Sequence, residues 1–193
     1  DFQEGRRMTE PRHALIVPIM QARVPVELQL ELPVPPEALP VREAFVGDLY
    51  MTYALESPGR FEYVTPLHCA QMGMRPDSLR AQAAANLRTR RPDLAMNWYP
   101  DARAVSIGLG GDLEAGLLLD DGLMDKLAQD VDGDLVVAVP ARTVFVATGT
   151  GHRDGLEKLR WTVDRVWPGG DHLLTRDLLV RRGGGAWEIL IQP

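Results

Sequence analysis

GDLVVAVPARTVFVATGTG, residues 133–151, is a run of β-branched and apolar residues broken once by Pro140-Ala141-Arg142. Two such runs on either side of a turn, bounded by glycine, read as an antiparallel hairpin. Both arms are strongly apolar, which predicts a place at the centre of a sheet. No catalytic motif falls inside the stretch, so it reads as scaffold. Its glycine exit, Gly149-Thr150-Gly151, leads into a helical pattern.

That pattern covers residues 154–166, where Leu156, Leu159, Val163 and Val166 recur at helical spacing, and Gly169-Gly170 closes it. A closing hairpin follows, 173–182 against 186–191, across Gly183-Gly184-Gly185. Upstream, residues 121–128 read as a short helix with Leu123 and Leu127 inward. Residues 104–109 and 115–119 read as another hairpin across Gly110-Gly111-Asp112. A helix is predicted over 77–91, capped by Asp77 or Ser78, with Leu79, Ala83 and Leu87 on one face. Arg88, Arg90 and Arg91 fill its last turn, where cations suit the helix dipole, and Pro92 ends it.

Nearer the amino terminus, residues 44–55 read as a strand carrying Asp48, paired to 60–64 across Ser57-Pro58-Gly59. ALIVPIM (14–20) is a strand whose Pro18 restricts it to an edge, a bulge or a strand end. Residues 24–32 alternate Val26, Leu28, Leu30 and Leu32 with Glu27, Gln29 and Glu31, a half-buried strand. PVPPEALP (33–40) is a stiff connector. Hairpins outnumber crossovers, so the expected class is α+β: a mainly antiparallel sheet with two or three helices packed on it. Residues 1–12 read as a tag or disordered leader, and 13–193 as one domain, the carboxy-terminal part of a longer protein being a second reading.

The chain of 193 residues is long enough to bury a core without disulfides or metal. A net charge of −6 argues against nucleic acid as the main partner. One cysteine, Cys69, excludes an internal disulfide framework and fits a reducing compartment, and as a buried small hydrophobe it needs no reactive role. No membrane span or export signal is present, so a bacterial cytoplasmic protein is expected.

Motifs that carry chemistry are incomplete throughout. Neither Gly108-Leu109-Gly110-Gly111 nor Gly149-Thr150-Gly151 finishes a dinucleotide or phosphate-loop fingerprint, and no cofactor is expected. Asp130, Asp132 and Asp134 sit in DVDGD, but a calcium loop needs Gly at its sixth position and Glu at its twelfth. Leu135 and Ala141 stand there. His13, His68, His152 and His172 are scattered with no metal-ligand spacing. No serine lies in a nucleophile elbow.

Charge is uneven: residues 75–91 are basic and 112–134 acidic, a polarity that reads as a partner surface or as two solvated faces. Trp161 lies off the apolar stripe of its helix, which points to a second packed layer or to an interface anchor.

GDLYMTYAL (47–55), FEYVT (61–65), AAANLRTR (83–90), GGDLEAGLLL (110–119) and GDLVVAVPART (133–143) together resemble the YtpQ-like family of bacterial proteins, a domain of unknown function. The tail from LEKLRWTV to LLTRDLLVRRGGGAWEI is similar to the family's carboxy terminus. The resemblance implies an intracellular protein, usually with a longer amino-terminal part. It carries over no catalytic residue: many relatives have an acid after the Pro-Ala-Arg turn, where this chain has Thr143.

Three functional readings stand. The first is a non-enzymatic protein-interaction or regulatory module using Arg88, Arg90, Arg91 and Trp161. The second is a hydrolase whose site gathers Asp48, His68 or Arg142 from distant segments, since a carboxylate inside an apolar strand must be paired or functional. The third is a structural protomer of a larger assembly, with a homo-oligomer one form of it.

Overall fold

The computed structural model describes residues 10–23 and 35–191. The alternating stretch 24–32 and the start of the connector 33–40 lie outside the described residues. Four α-helices and ten strands are present among them: β1 (Ile16–Ala22), β2 (Arg42–Ala44), β3 (Leu49–Ser57), β4 (Arg60–Tyr63), α1 (Pro66–Met72), α2 (Leu79–Arg90), β5 (Ala95–Tyr99), β6 (Ala104–Gly108), α3 (Asp121–Gln129), β7 (Leu135–Ala138), β8 (Val146–Gly149), α4 (Arg153–Val166), β9 (Leu179–Arg181) and β10 (Trp187–Ile189). The fold is α+β with every strand pairing antiparallel, but the strands form two sheets rather than one. In the first, β3 pairs with β1 along one edge and with β2 and β4 along the other. The second runs β10-β9-β7-β8-β6-β5.

The hairpin of residues 133–151 occupies the middle of the second sheet as β7 and β8, with Leu135 opposite Gly149 and Ala138 opposite Val146. Side chains alternate across a strand, and both faces of this one are covered. Leu135 and Val137 enter the main core, while Val136 and Ala138 enter a second core beneath α4. That two-sided burial explains an unbroken apolar run in place of alternation. The connection, residues 139–145, is wider than a tight turn. Leu174 donates its amide to the Pro140 carbonyl at 2.8 Å, and Arg142 donates to that of His172 at 3.0 Å.

The main core joins both sheets. Leu79, Ala83 and Leu87 of α2, as their spacing predicts, meet Leu123, Met124 and Leu127 of α3 and the inner faces of β1, β3, β7 and β8. Each buried aliphatic side chain contributes about 1.5–3 kcal/mol before ordering entropy is subtracted. Among the described residues β1 pairs only with β3, so Pro18 lies on an edge strand, where its missing donor is tolerated.

Three segments differ from the expectation, the first being the closing hairpin, whose first strand begins at Leu179 rather than at 173. Residues 114–119 form a 3₁₀ turn, Glu114–Leu119, instead of a strand. Its apolar run is buried on all sides, and such a run carries no period that separates helix from strand. At its start the buried Glu114 carboxylate accepts the amides of Leu109 at 3.1 Å and Gly111 at 2.5 Å. The segment 44–55 breaks into β2 and β3, because Gly47 adopts φ +55°. Asp48 therefore lies in an exposed turn, not within an apolar strand, and the desolvation argument for it lapses.

Two elements were not anticipated. Helix α1 is signalled by Thr65 as cap, Pro66 at the first turn and Gly73 at φ +66° beyond the end. Strand β5, AMNWY, is exposed at all five positions and so lacks an apolar period.

Helix α4 sits against the sheet at Gly155, where a β-carbon would collide with the Thr148 hydroxyl and would stand 2.9 Å from the Ala102 carbonyl oxygen. Gly155→Ala is expected to lower stability by about 1–3 kcal/mol, read as a reduced urea midpoint at unchanged slope.

Candidate functional site

The two charged segments face each other. Arg91 donates to Glu56 of β3 at 2.5 and 2.8 Å and to Asp112 at 2.7 Å, closing the carboxy-terminal end of α2 onto the first sheet and the 110–112 loop. Arg90 donates to Glu56 at 3.2 Å, and Arg88 pairs with Asp120 at 3.2 Å. Asp120 in turn caps α3 by accepting the Leu123 amide at 3.0 Å. Further along the acidic stretch, Asp121 and Asp125 hold Arg181, and Asp134 holds Arg182. The hydrogen bonds from Arg91 hold the Glu56 carboxyl below the usual carboxylate range, against the opposing effect of burial. The basic and acidic stretches are therefore complementary halves of internal contacts. Arg88, Arg90 and Arg91 are structural rather than a free cationic face.

The residues of the hydrolase reading are not brought together: Asp48, His68 and Arg142 share no hydrogen bond or ion pair with one another among the described residues. His68 completes the cap of α1, its Nδ1 accepting the Thr65 amide at 3.1 Å while its Nε2 stands 3.2 Å from Glu62. Arg142 gives its carbonyl to the Ala115 amide at 3.0 Å, and its Nε is buried without a partner among the described residues. Cys69 is buried, and burial pushes its thiol up, away from the reactive thiolate. Tyr53 is wholly buried, and burial, reinforced by the negative charge of Glu43, keeps its phenol protonated. Among the described residues no three His, Cys, Asp or Glu side chains gather as a metal site would require. Gly149-Thr150-Gly151 has no free anion cradle either, because the amides of Thr150 and Gly151 donate to the carbonyls of Asp134 and Asp132 at 2.9 Å each.

Exposed aromatic side chains lie in two places, Phe61 and Tyr63 on β4 and a group on β5 and α4. Trp161 of α4 is 53% exposed and lies on the surface rather than in a packed layer. Beside it is β5, the last strand of its sheet, carrying Met96, Trp98 and Tyr99 at 39%, 45% and 38% exposure. The Lys158 ammonium stands 4.1 Å from the Trp161 ring and 4.6 Å from that of Tyr99, and the Arg165 guanidinium is 5.3 Å from Trp161. Cations over the rings hold them in place and keep a wet rim around an apolar centre. Trp161 is legible in the sequence as an off-stripe aromatic. Tyr99 is not, because its neighbour across the patch is 59 or 62 residues away in the chain, at Lys158 or Trp161.

The network around Glu56 has a signed pH dependence. Its folded pKa is lowered from the ordinary carboxylate value, so its contribution is complete above that ordinary value and is lost as pH falls from there through the lowered folded one. Glu56→Gln is expected to lower stability at neutral pH by about 2 kcal/mol. It should also flatten the fall in urea midpoint from about pH 5 to about pH 3.

No helix among the described residues is long and apolar enough to cross a membrane. Compared with protein-family models, curated proteins and solved structures, the chain matches none.

Proposed function

We propose that this chain is a binding module for another protein, and that its docking surface is the free edge of β5 with the Tyr99–Trp161 patch of β5 and α4. The observation that carries the reading is the coincidence of an unpaired sheet edge with exposed aromatic rings. Among the described residues β5 pairs on one side only, with β6, and all five of its residues are exposed. An open strand edge offers a row of backbone donors and acceptors to an incoming chain, which most folds blunt with charge or proline. Here the edge carries Met96, Trp98 and Tyr99 instead. Tryptophan and tyrosine anchor interfaces because they bury a large area with few rotatable bonds.

Lys158 and Arg165 at the rim favour a partner with carboxylates around an apolar anchor. The resemblance to the YtpQ-like family, which implies an intracellular protein, fits this role. The separate placement of Asp48, His68 and Arg142 gives the hydrolase reading no support.

Purified chain used as bait in lysate from its native host is expected to retain a stoichiometric protein partner. Tyr99→Ala with Trp161→Ala should abolish retention while shifting Tm by no more than a few degrees, since both rings are surface residues. Retention unchanged by the double substitution contradicts the proposal. Light scattering of the purified chain separates a second copy of itself from a foreign partner.

A further inference from the structure

A cleft of about 420 Å³ opens where β5 turns into β6, lined by Trp98, Pro100, Arg103, Asp130, Asp132 and His152. This is within the size range of small-molecule sites. It lies on the opposite face of β5 from the Tyr99–Trp161 patch. Trp98 is opposite Val105, a main-core residue, whereas Tyr99 is opposite Ala104 of the core beneath α4. The cleft shares Trp98 with the β5 edge but includes neither the Tyr99 nor the Trp161 ring.

Three features set it apart. Arg103 adopts φ +55°, one of two non-glycine residues with positive φ among those described. That region strains a side chain with a β-carbon, and strain held in place by its surroundings marks functional positions. Here the Thr148 hydroxyl donates to the Arg103 carbonyl at 2.9 Å and fixes the turn. Unlike Arg88, Arg90 and Arg181, Arg103 forms no ion pair with a carboxylate among the described residues. The strained residue is therefore also an unpaired cation.

His152 is the second feature. The Asp132 amide donates to its Nε2 at 3.1 Å, which leaves Nδ1 as the protonated, donating nitrogen. His152 also precedes the first turn of α4, where no side chain caps the free amides. The third is the rigidity of the walls. Gly133, Gly149 and Gly151 bring the 130–134 and 149–152 loops so close that a β-carbon on any of them would collide with the facing loop. The donors Arg103 and His152 and the acceptors Asp130 and Asp132 line the same cleft, with the Asp132 carboxylate 3.9 Å from His152 Nε2, and Trp98 adds an exposed indole.

We propose that this cleft binds a small planar anion: its ring stacks on Trp98, its anionic group is held by Arg103 and His152, and its ring N–H groups face the two aspartates. A purine nucleoside monophosphate with adjacent N–H donors, guanosine 5′-monophosphate, has this chemistry. Indole stacks on any base face, guanidinium pairs with phosphate, and a carboxylate accepts from adjacent N–H donors.

Calorimetric titration of the full chain with guanosine monophosphate, guanosine and inorganic phosphate tests this. Saturable binding of the monophosphate is expected, tighter than that of either fragment. Trp98→Leu should weaken both guanosine and the monophosphate about tenfold. Arg103→Gly, which suits the positive φ, should weaken the monophosphate about tenfold and leave guanosine unchanged, at a Tm no lower than wild type. No saturable heat at millimolar monophosphate overturns the proposal. So does equal affinity in wild type and both variants. Phosphate alone binding as tightly as the monophosphate reduces the cleft to a plain anion site and overturns the ring's part in it.

Discussion

Burial of the β7–β8 hairpin on both faces is the constraint on which the rest of the structure depends. Val136 and Ala138 require α4 above the sheet, and Leu135 and Val137 require the first sheet, α2 and α3 below it. A strand covered on both sides has no room for a polar side chain without a partner. Thr148 on β8 meets that condition by donating to the Arg103 carbonyl, and Gly155 of α4 leaves it the space. Chemistry that needs solvent is thereby displaced to the rim: to β5, to the turn before β6, and to the ends of α3 and α4.

Charge reinforces the same arrangement. The basic end of α2 and the acidic segment from Asp112 to Asp134 look, in sequence, like a polar molecule with two free faces. In space they close on each other through Glu56, Arg91, Asp112, Arg88 and Asp120, and on the closing hairpin through Arg181 and Arg182. Pairs that are mostly shielded from solvent, such as Glu56 with Arg91, hold a helix end to a sheet more firmly than exposed ones. With these cations engaged internally, the exposed aromatic rings of β5 and α4 and Arg103, which has no carboxylate partner among the described residues, stand out on this part of the surface.

The central hairpin, α2, α3, α4, the β3–β4 hairpin and the glycine-turned closing hairpin were all legible, because each has a period or a turn signal that local physics enforces. Residues 114–119 were not, since LLL buried on every side has no period. Asp48 was misplaced because one glycine with positive φ splits what reads as a single strand. Strand β5 is exposed at every position and forms only because β6 is beside it. For the surface, Trp161 could be singled out by its helical position alone. Its partnership with Tyr99, and the meeting of Trp98, Arg103 and His152 in one cleft, depend on antiparallel register between distant segments. Spacing within a single sequence does not encode that register.

Among the described residues the second sheet is closed at its centre and open at β5, and amide hydrogen exchange of the purified chain reads both properties at once. Backbone amides of β7 and β8 are expected to exchange only through global unfolding, while the amides of β5 that do not bond to β6 exchange many-fold faster. Protection across all of β5 equal to that of β7 and β8 would contradict the account, because it would mean that the edge proposed for docking is already covered.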